Sequence, residues 1–96
     1  MIRHTVVFKF NDQTSAIKEK DFFMAINKLS SITGVQNFEC LRQIGKKNNF
    51  EYGVSMEFYG TDEYEHYNNH PMHVHFVNQY WMKDVADFME IDYQPL

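Results

Sequence analysis

The chain of 96 residues contains a single cysteine, Cys40, so no intramolecular disulfide can form. A lone thiol is typical of proteins that stay in a reducing compartment, which predicts a cytoplasmic location. The sequence also lacks any run of roughly 18 apolar residues, and it opens without the apolar stretch of a secretory signal. We therefore expect neither a membrane span nor a membrane partner.

Basic clusters are missing as well. The formal net charge is −4 and the isoelectric point is about 5.6, which argues against nucleic acid as a partner. With only 4 glycines and 2 prolines the chain is not fibrous or of low complexity, and its 44% hydrophobic content is that of a globular protein. The length suits one domain over residues 1–96.

Strict alternation predicts a half-buried first strand. Ile2, His4, Val6, Phe8 and Phe10 fall on one of its faces. Apolar periodicity and turn residues predict the remaining elements, which are a helix over 15–30, strands over 35–44 and 50–59, a short helix over 61–68, a longer helix over 71–84 and a strand over 87–93.

The order of these elements is β-α-β-β-(α-α)-β, which predicts an α+β fold of the ferredoxin-like, split βαβ type. Its four-stranded antiparallel sheet carries the helices on one face. On the second strand we expect Phe38, Cys40 and Ile44 to share the inner face. The outer face is expected to present a partly apolar set comprising Thr5, Val7, Leu41, Gly53, Ser55 and Tyr59. Packing that set against a second copy would protect it and the sheet edges, so we expect a homodimer.

Five histidines are present. His66 and His75 fall on the polar sides of their helices and are expected at the surface. His70 precedes Pro71 at a helix start, where its side chain can accept a hydrogen bond from an orphan amide. A metal site built from His70, His73 and a carboxylate is an open alternative. No further metal-ligand motif accompanies it, so no metal is expected.

His4 and His73 each lie in the middle of an otherwise apolar face, one on the first strand and one on the helix that covers it. A buried imidazole costs about 1–3 kcal/mol for each ring nitrogen left without a partner. Tyr67, together with Tyr64 or Tyr52, is expected to point toward the same space and supply a hydroxyl. This arrangement is either a satisfied core network or the polar end of a small-molecule pocket.

Two stretches carry a family resemblance, the strand over 2–10 and the segment over 67–77. The chain resembles the stress-responsive A/B barrel (Dabb) domain over nearly its whole length, and the specific part is the pattern Tyr-x-x-His-Pro-x-His-x-x-Phe-Val that begins at Tyr67. Members of that family are dimeric α+β barrels in which two ferredoxin-like sheets face each other. The resemblance implies the same assembly here.

A plant branch of the family cyclises linear polyketides without a cofactor, and its functional tyrosine and histidine match Tyr67 and His73. The resemblance implies that His73 removes a proton α to a carbonyl and that Tyr67 hydrogen-bonds the developing enolate oxygen. The ligand would be a small apolar carbonyl compound. The residues expected to bind it are His4, Tyr64, Tyr52 and Trp81.

Two alternatives stay open. The chain could be a non-enzymatic stress protein whose inward histidines stabilise the core and the dimer, like family members that form very stable assemblies. It could also act as a cofactor-free monooxygenase, as other dimeric α+β barrels do. No pattern indicates haem, and no cofactor is expected. Cys40 lies among apolar neighbours without a cationic helper, which predicts a small core residue rather than a nucleophile.

Overall fold

The protein folds as a four-stranded antiparallel sheet with helices on one face, in a computed structural model that describes residues 1–96. The strands are β1 (Ile2–Phe10), β2 (Gln36–Arg42), β3 (Tyr52–Phe58) and β4 (Val85–Tyr93). The helices are α1 (Ala16–Asn27), α2 (Thr61–Asn69), α3 (Pro71–Phe76) and α4 (Met82–Asp84). A 3-10 turn (Lys28–Ser31) extends α1, and a π turn (Val77–Trp81) joins α3 to α4. The split βαβ order predicted from the sequence is confirmed.

β1 lies inside the sheet, whose strand order is β2-β3-β1-β4. Its residues alternate between buried and more exposed positions, because successive side chains of a strand point to opposite faces. The register places Val54 of β3 and Glu90 of β4 on either side of Val6. The helix-covered face therefore carries His4, Val6 and Phe8 between residues of β3 and β4.

Aromatic side chains form a dense cluster between the sheet and the helices. Phe8 and Phe22 are fully buried, and their ring centroids lie 5.5 Å apart. Phe10 meets Phe22 edge to face at 4.9 Å, and Trp81 lies 5.0 Å from Phe8. Such contacts add to the stabilisation that comes from area burial, so this cluster anchors α1 and the π turn to β1.

Two helices begin with side-chain caps at the positions that the sequence predicts. Ser15 accepts a hydrogen bond from the amide of Lys18 at 3.2 Å at the start of α1. At the start of α3, His70 Nδ1 accepts from the amide of Met72 at 3.1 Å, and Pro71 takes the first helical position. No helix has both the length and the hydropathy that crossing a bilayer requires.

Two predicted positions on the sheet are wrong. Ile44 lies beyond the end of β2 and is 85% exposed, so it is not part of the inner face of that strand. The cause is Gln43, whose side-chain amide donates to the carbonyl of Phe50 at 2.7 Å and closes a loop before the strand can continue. β3 ends at Phe58, and Tyr59 is an exposed residue one position past the sheet.

The helix predicted over 71–84 contains a π turn, which periodicity at 3.6 residues per turn does not anticipate. A π turn holds an extra residue, so the chain advances by a smaller angle per residue through it. Trp81 is thereby brought closer to the middle of the apolar side of the helix. Val74, which a regular α-helix would place on that side with Trp81, is instead 45% exposed.

The uncovered face of the sheet carries more apolar surface than predicted, because β4 contributes to it. Pairing of Thr5 with Ile91 and of Val7 with Met89 puts these β4 residues on the outer face. Gly53, predicted there, lies on this face opposite Val7 and Leu41, and it is buried because it has no side chain. We call the following set the open sheet face: Thr5, Val7, Leu41, Ser55, Met89, Ile91 and Tyr93.

Candidate functional site

A cavity of about 300 Å³ lies between the sheet and the helices. Three of its 14 lining residues, His4, His73 and Glu90, are polar or charged, and the other 11 are hydrophobic. Those hydrophobic residues are Val6, Ile26, Leu29, Val54, Met56, Tyr67, Phe76, Val77, Trp81, Met82 and Phe88. Because Met82, Phe88 and Glu90 are exposed, the cavity opens to solvent between α4 and β4. An apolar cavity with a few polar groups is typical of a small-molecule site.

His4 is held in place by a hydrogen-bonded triangle behind the cavity wall. Its Nδ1 lies 2.7 Å from Asp92 Oδ1 and 2.7 Å from the hydroxyl oxygen of Tyr64. The Tyr64 hydroxyl donates to Asp92 Oδ2 at 2.9 Å. The register supports this arrangement, because His4 and Asp92 are directly paired between β1 and β4.

These contacts fix the protonation pattern of the imidazole ring. A carboxylate can only accept, so Nδ1 of His4 carries a proton and donates it to Asp92, with the Tyr64 oxygen as a second acceptor. Burial, the hydrogen bond to Asp92 and the nearby charges of Asp92 and Glu90 all raise the pKa of Tyr64, which keeps its hydroxyl protonated. The remaining ring nitrogen of His4, Nε2, has no protein partner and belongs to the cavity wall.

Tyr67 presents a hydroxyl without a protein partner. The residue is 3% exposed, and its ring packs against His73 with 4.4 Å between centroids. No fully buried polar side-chain atom of the protein lacks a hydrogen bond, so the unbonded Tyr67 oxygen keeps access to the cavity. Burial and then the charge of Glu90 raise its pKa, and the hydroxyl is a donor throughout the neutral range.

His73 faces the same cavity from α3. Its Nδ1 lies 3.1 Å from the carbonyl oxygen of Asn68 in α2, and a carbonyl can only accept, so Nδ1 carries a proton. Burial lowers the pKa of His73 below the ordinary value of 6.5, against the opposing effects of the Asn68 carbonyl and Glu90. At neutral pH the ring is therefore uncharged, and Nε2 holds a free lone pair.

Two acidic residues of this site were missed at the sequence level, Asp92 and Glu90. They lie at alternate positions of β4, on the same face as Phe88, opposite His4 and Val6 of β1. The period-two pattern of the last strand carries the signal that could have found them, since it places residues 88, 90 and 92 together. What the sequence does not supply is the register that brings Asp92 to His4.

The predicted site residues separate into three groups. His4, Tyr67, His73 and Trp81 line the cavity, whereas Tyr64 lies behind it and contacts the site through His4. Tyr52 lies elsewhere. Its ring packs against those of Phe10 and Phe23, and its hydroxyl reaches Glu19 Oε1 at 3.5 Å.

The other histidines and the cysteine stay outside the cavity. His66 and His75 are exposed, as predicted. No three side chains of His, Cys, Asp or Glu lie close enough together to hold a metal ion, and His70 uses its Nδ1 to cap α3. Cys40 is partly buried, and burial raises the pKa of its thiol, which disfavours a nucleophilic thiolate.

Comparison with protein families assigns the chain. The family model described as Stress responsive A/B Barrel Domain (Dabb) matches residues 2–95, so the protein belongs to the Dabb family. No curated protein matches the chain. The resemblance inferred from the segment over 67–77 is thereby confirmed.

Solved structures with the same fold include a close relative. A Dabb family protein with a ferredoxin-like fold from Mesorhizobium loti is 48% identical, with a TM-score of 0.93 over 99% of this chain and 96% of that one. A dimeric ferredoxin-like protein of unknown function from Thermobifida fusca is 23% identical, with a TM-score of 0.83 over 98% and 90%. A hydroxynitrile lyase from Passiflora edulis is 13% identical, with a TM-score of 0.86 over 96% and 90%. The last two likenesses show the shared fold alone.

Proposed function

We propose that this Dabb protein is a stress-related, homodimeric, cytoplasmic acid–base catalyst that works without a cofactor. Its ligand is a small apolar carbonyl compound held in the cavity between the sheet and the helices. His73 is the general base and Tyr67 is the hydrogen-bond donor to the carbonyl oxygen. The partly buried, unpaired thiol of Cys40 supports the reducing location.

One observation carries this proposal. Three polar atoms without protein partners, His4 Nε2, His73 Nε2 and the Tyr67 hydroxyl, belong to residues that line a single, otherwise apolar cavity. Each ring is held in place, His4 by Asp92, and His73 by Asn68 and by its contact with Tyr67. A histidine at the surface would not have one ring nitrogen fixed as a donor while the other stays free as an acceptor inside an apolar cavity.

The chemistry that suits these groups is proton abstraction next to a carbonyl. Nε2 of neutral His73 takes the α proton, the electrons of the C–H bond form the C=C bond of an enolate, and negative charge develops on oxygen. The Tyr67 hydroxyl donates a hydrogen bond to that oxygen in a site of low polarity, where such a bond is strong. The enolate carbon then attacks a second carbonyl of the same molecule, whose oxygen receives the π electrons and takes the proton from His73, or the enolate carbon itself takes that proton back.

The homodimer is proposed from the open sheet face. Leu41, Met89, Ile91 and Tyr93 on it are between 38% and 53% exposed, which leaves an unusual amount of apolar surface in contact with water. A second copy packed on this face would bury these side chains. The Thermobifida fusca neighbour is described as dimeric, which supports the same use of the fold.

Exchange of α protons with deuterated solvent tests the chemistry without knowledge of the natural substrate. Benzylacetone, an apolar ketone with a phenyl ring, is incubated with the protein, and loss of its α-proton NMR signals is timed. We expect exchange above the buffer rate, and His73→Gln is expected to slow it about 100-fold or more. His75→Gln, an exposed histidine change on the same helix, is the matched control. Exchange at the buffer rate, or exchange that survives His73→Gln, contradicts the proposal.

A non-enzymatic role is the second candidate, and a contact of His73 favours it. The bond from His73 Nδ1 to the Asn68 carbonyl joins α2 to α3 across the kink at Pro71, as a structural histidine would. In that case the exchange rate stays at background for every variant, and His73→Gln only lowers the melting temperature. The same pair of measurements therefore separates the two functions.

A further inference from the structure

The charges around the cavity are all of one sign. Glu90 is the only lining residue with a permanent charge, and no Lys or Arg lines the cavity. A second carboxylate, Asp92, lies two residues further along β4 on the same face and is hydrogen-bonded to His4 behind the cavity wall. An apolar cavity that carries carboxylates and no cation has a negative potential, because low-polarity walls weaken screening.

No basic side chain forms an ion pair with Glu90. Arg3 lies on the outer face of the sheet, where it pairs with Glu57 at 4.0 Å. Lys83 follows the mouth residue Met82 but donates to Gln79 at 3.3 Å, one turn back along the helix. Glu90 itself makes no side-chain hydrogen bond and no ion pair with any group of the protein, so its carboxylate stays available at the mouth.

The influence of Glu90 reaches the catalytic pair. Its charge acts to raise the pKa of both Tyr67 and His73, the two groups that the proposed reaction uses. A charge that is felt at both groups is also felt by any ligand that lies between them. An anionic ligand would meet repulsion there, whereas an ammonium or hydroxyl group would find an acceptor in Glu90.

We infer that Glu90 determines ligand class, so that the cavity accepts neutral or cationic apolar molecules and rejects carboxylates and other anions. This inference rests on the proposed function, because it concerns the ligand of the same cavity. It narrows the substrate class to ketones, esters, amides or amine-bearing carbonyl compounds, with the polar or cationic end toward Glu90 and the carbonyl toward His73 and Tyr67. A carboxylate anion is disfavoured as the bound form.

Three probes of similar shape test this selectivity. Benzylacetone is neutral, phenylbutylamine is cationic and phenylbutyrate is anionic at neutral pH, and all three have a phenyl ring on a short chain. Trp81 is the only tryptophan and lines the cavity, so its fluorescence reports binding without a label. Each probe is titrated into the wild-type protein, into Glu90→Gln and into Glu65→Gln, which removes the same charge from an exposed position on α2.

We expect phenylbutyrate to bind the wild-type protein about tenfold or more weakly than the neutral and cationic probes. Glu90→Gln should remove most of that difference, and Glu65→Gln should preserve it. Added salt should reduce the difference in affinity between phenylbutyrate and the other probes in the wild-type protein, because Glu90 is exposed and salt ions can screen its charge.

The outcomes separate the inference from the proposed function. Equal binding of the three probes, or tightest binding of phenylbutyrate, overturns the role of Glu90 while the cavity remains a ligand site. If phenylbutyrate still binds more weakly than the other two probes in Glu90→Gln, the role of Glu90 is overturned too. Failure of all three probes to change Trp81 fluorescence or to bind by calorimetry overturns both the ligand cavity and the selectivity assigned to it.

Discussion

His4 and Asp92 are direct partners across the β1–β4 ladder, and their side chains meet at 2.7 Å on the helix-covered face of the sheet. The pair joins a side chain that is 6% exposed to one that is 43% exposed, so the carboxylate is solvated on one side while it orients a buried ring on the other. Tyr64 completes the arrangement from α2. One β-sheet register thus determines which nitrogen of His4 faces the cavity.

Loss of the Asp92 charge should destabilise the fold and free the His4 ring. A hydrogen bond to a charged group contributes about 1.5–3 kcal/mol, less here because Asp92 is partly solvated, so we expect Asp92→Asn to lower the free energy of unfolding by about 1 kcal/mol. For a domain of this size the melting temperature would fall by about 4–8 °C. Urea unfolding measures the loss, and nitrogen NMR of His4 reports the mixed tautomers. Asp12→Asn, at an exposed turn residue, should change neither.

Removal of the hydroxyl should have different effects at Tyr67 and Tyr64, because it should reduce exchange at the first and stability at the second. Tyr67→Phe deletes a group with no protein partner, so the free energy of unfolding should change by less than about 0.5 kcal/mol. Ketone exchange should nevertheless fall about 100-fold, because the donor to the enolate oxygen is lost. Tyr64→Phe should cost about 1–2 kcal/mol of stability, because it breaks the contacts to His4 and Asp92. If Tyr67→Phe left exchange intact, the hydroxyl would have no catalytic part.

Acidification should destabilise the protein through His73. Burial holds the folded-state pKa of this ring below 6.5, whereas the unfolded chain binds a proton near 6.5. Between those two values the unfolded state carries more protons, so the stability is complete above pH 6.5 and is lost as the pH falls toward the folded-state pKa. His73→Gln should flatten the dependence of the urea-unfolding free energy on pH below about pH 6.5. His75→Gln should leave the slope unchanged.

The sequence predicts the parts of the fold that depend on local periodicity. Alternation in β1 places His4 inward, and the helical wheel places Tyr67 and His73 on covered faces, because each of those patterns repeats within its own element. The cap at His70 follows from the adjacent proline in the same way. The family resemblance adds the specific pairing of Tyr67 with His73, which geometry alone left open.

Features that depend on contacts between distant elements were not predictable in this way. Asp92 becomes part of the site only through its register with His4, 88 residues earlier in the chain. Trp81 was expected in the site and lines the cavity, but the π turn that contains it was not anticipated, because an extra residue breaks the fixed angular step of an α-helix. Tyr52 was expected near the histidines because it faces inward, but it lies further along β3 and packs among the phenylalanines.

Filling the cavity should abolish ligand binding without unfolding the protein. Val77 lines the cavity from the π turn and is only partly buried, so Val77→Phe places a ring in open space instead of displacing packed atoms. We expect binding of benzylacetone to weaken at least about tenfold while stability changes by less than about 1 kcal/mol. Val74→Phe, an exposed position three residues earlier, is the matched control. Unchanged binding in Val77→Phe would show that the ligand lies elsewhere.

A single charge on the open sheet face should separate the proposed dimer. Ile91 lies on the edge strand β4, where it is paired with Thr5 of β1, and it is 38% exposed in one chain. In a dimer its side chain would be buried against the partner, where an uncompensated lysine is costly. Ile91→Lys should therefore give a monomer in native mass spectrometry at concentrations where the wild-type protein is a dimer. Ile17→Lys, which makes the same change at a 75% exposed position on α1, should remain dimeric. A dimer that survives Ile91→Lys would place the interface on another surface.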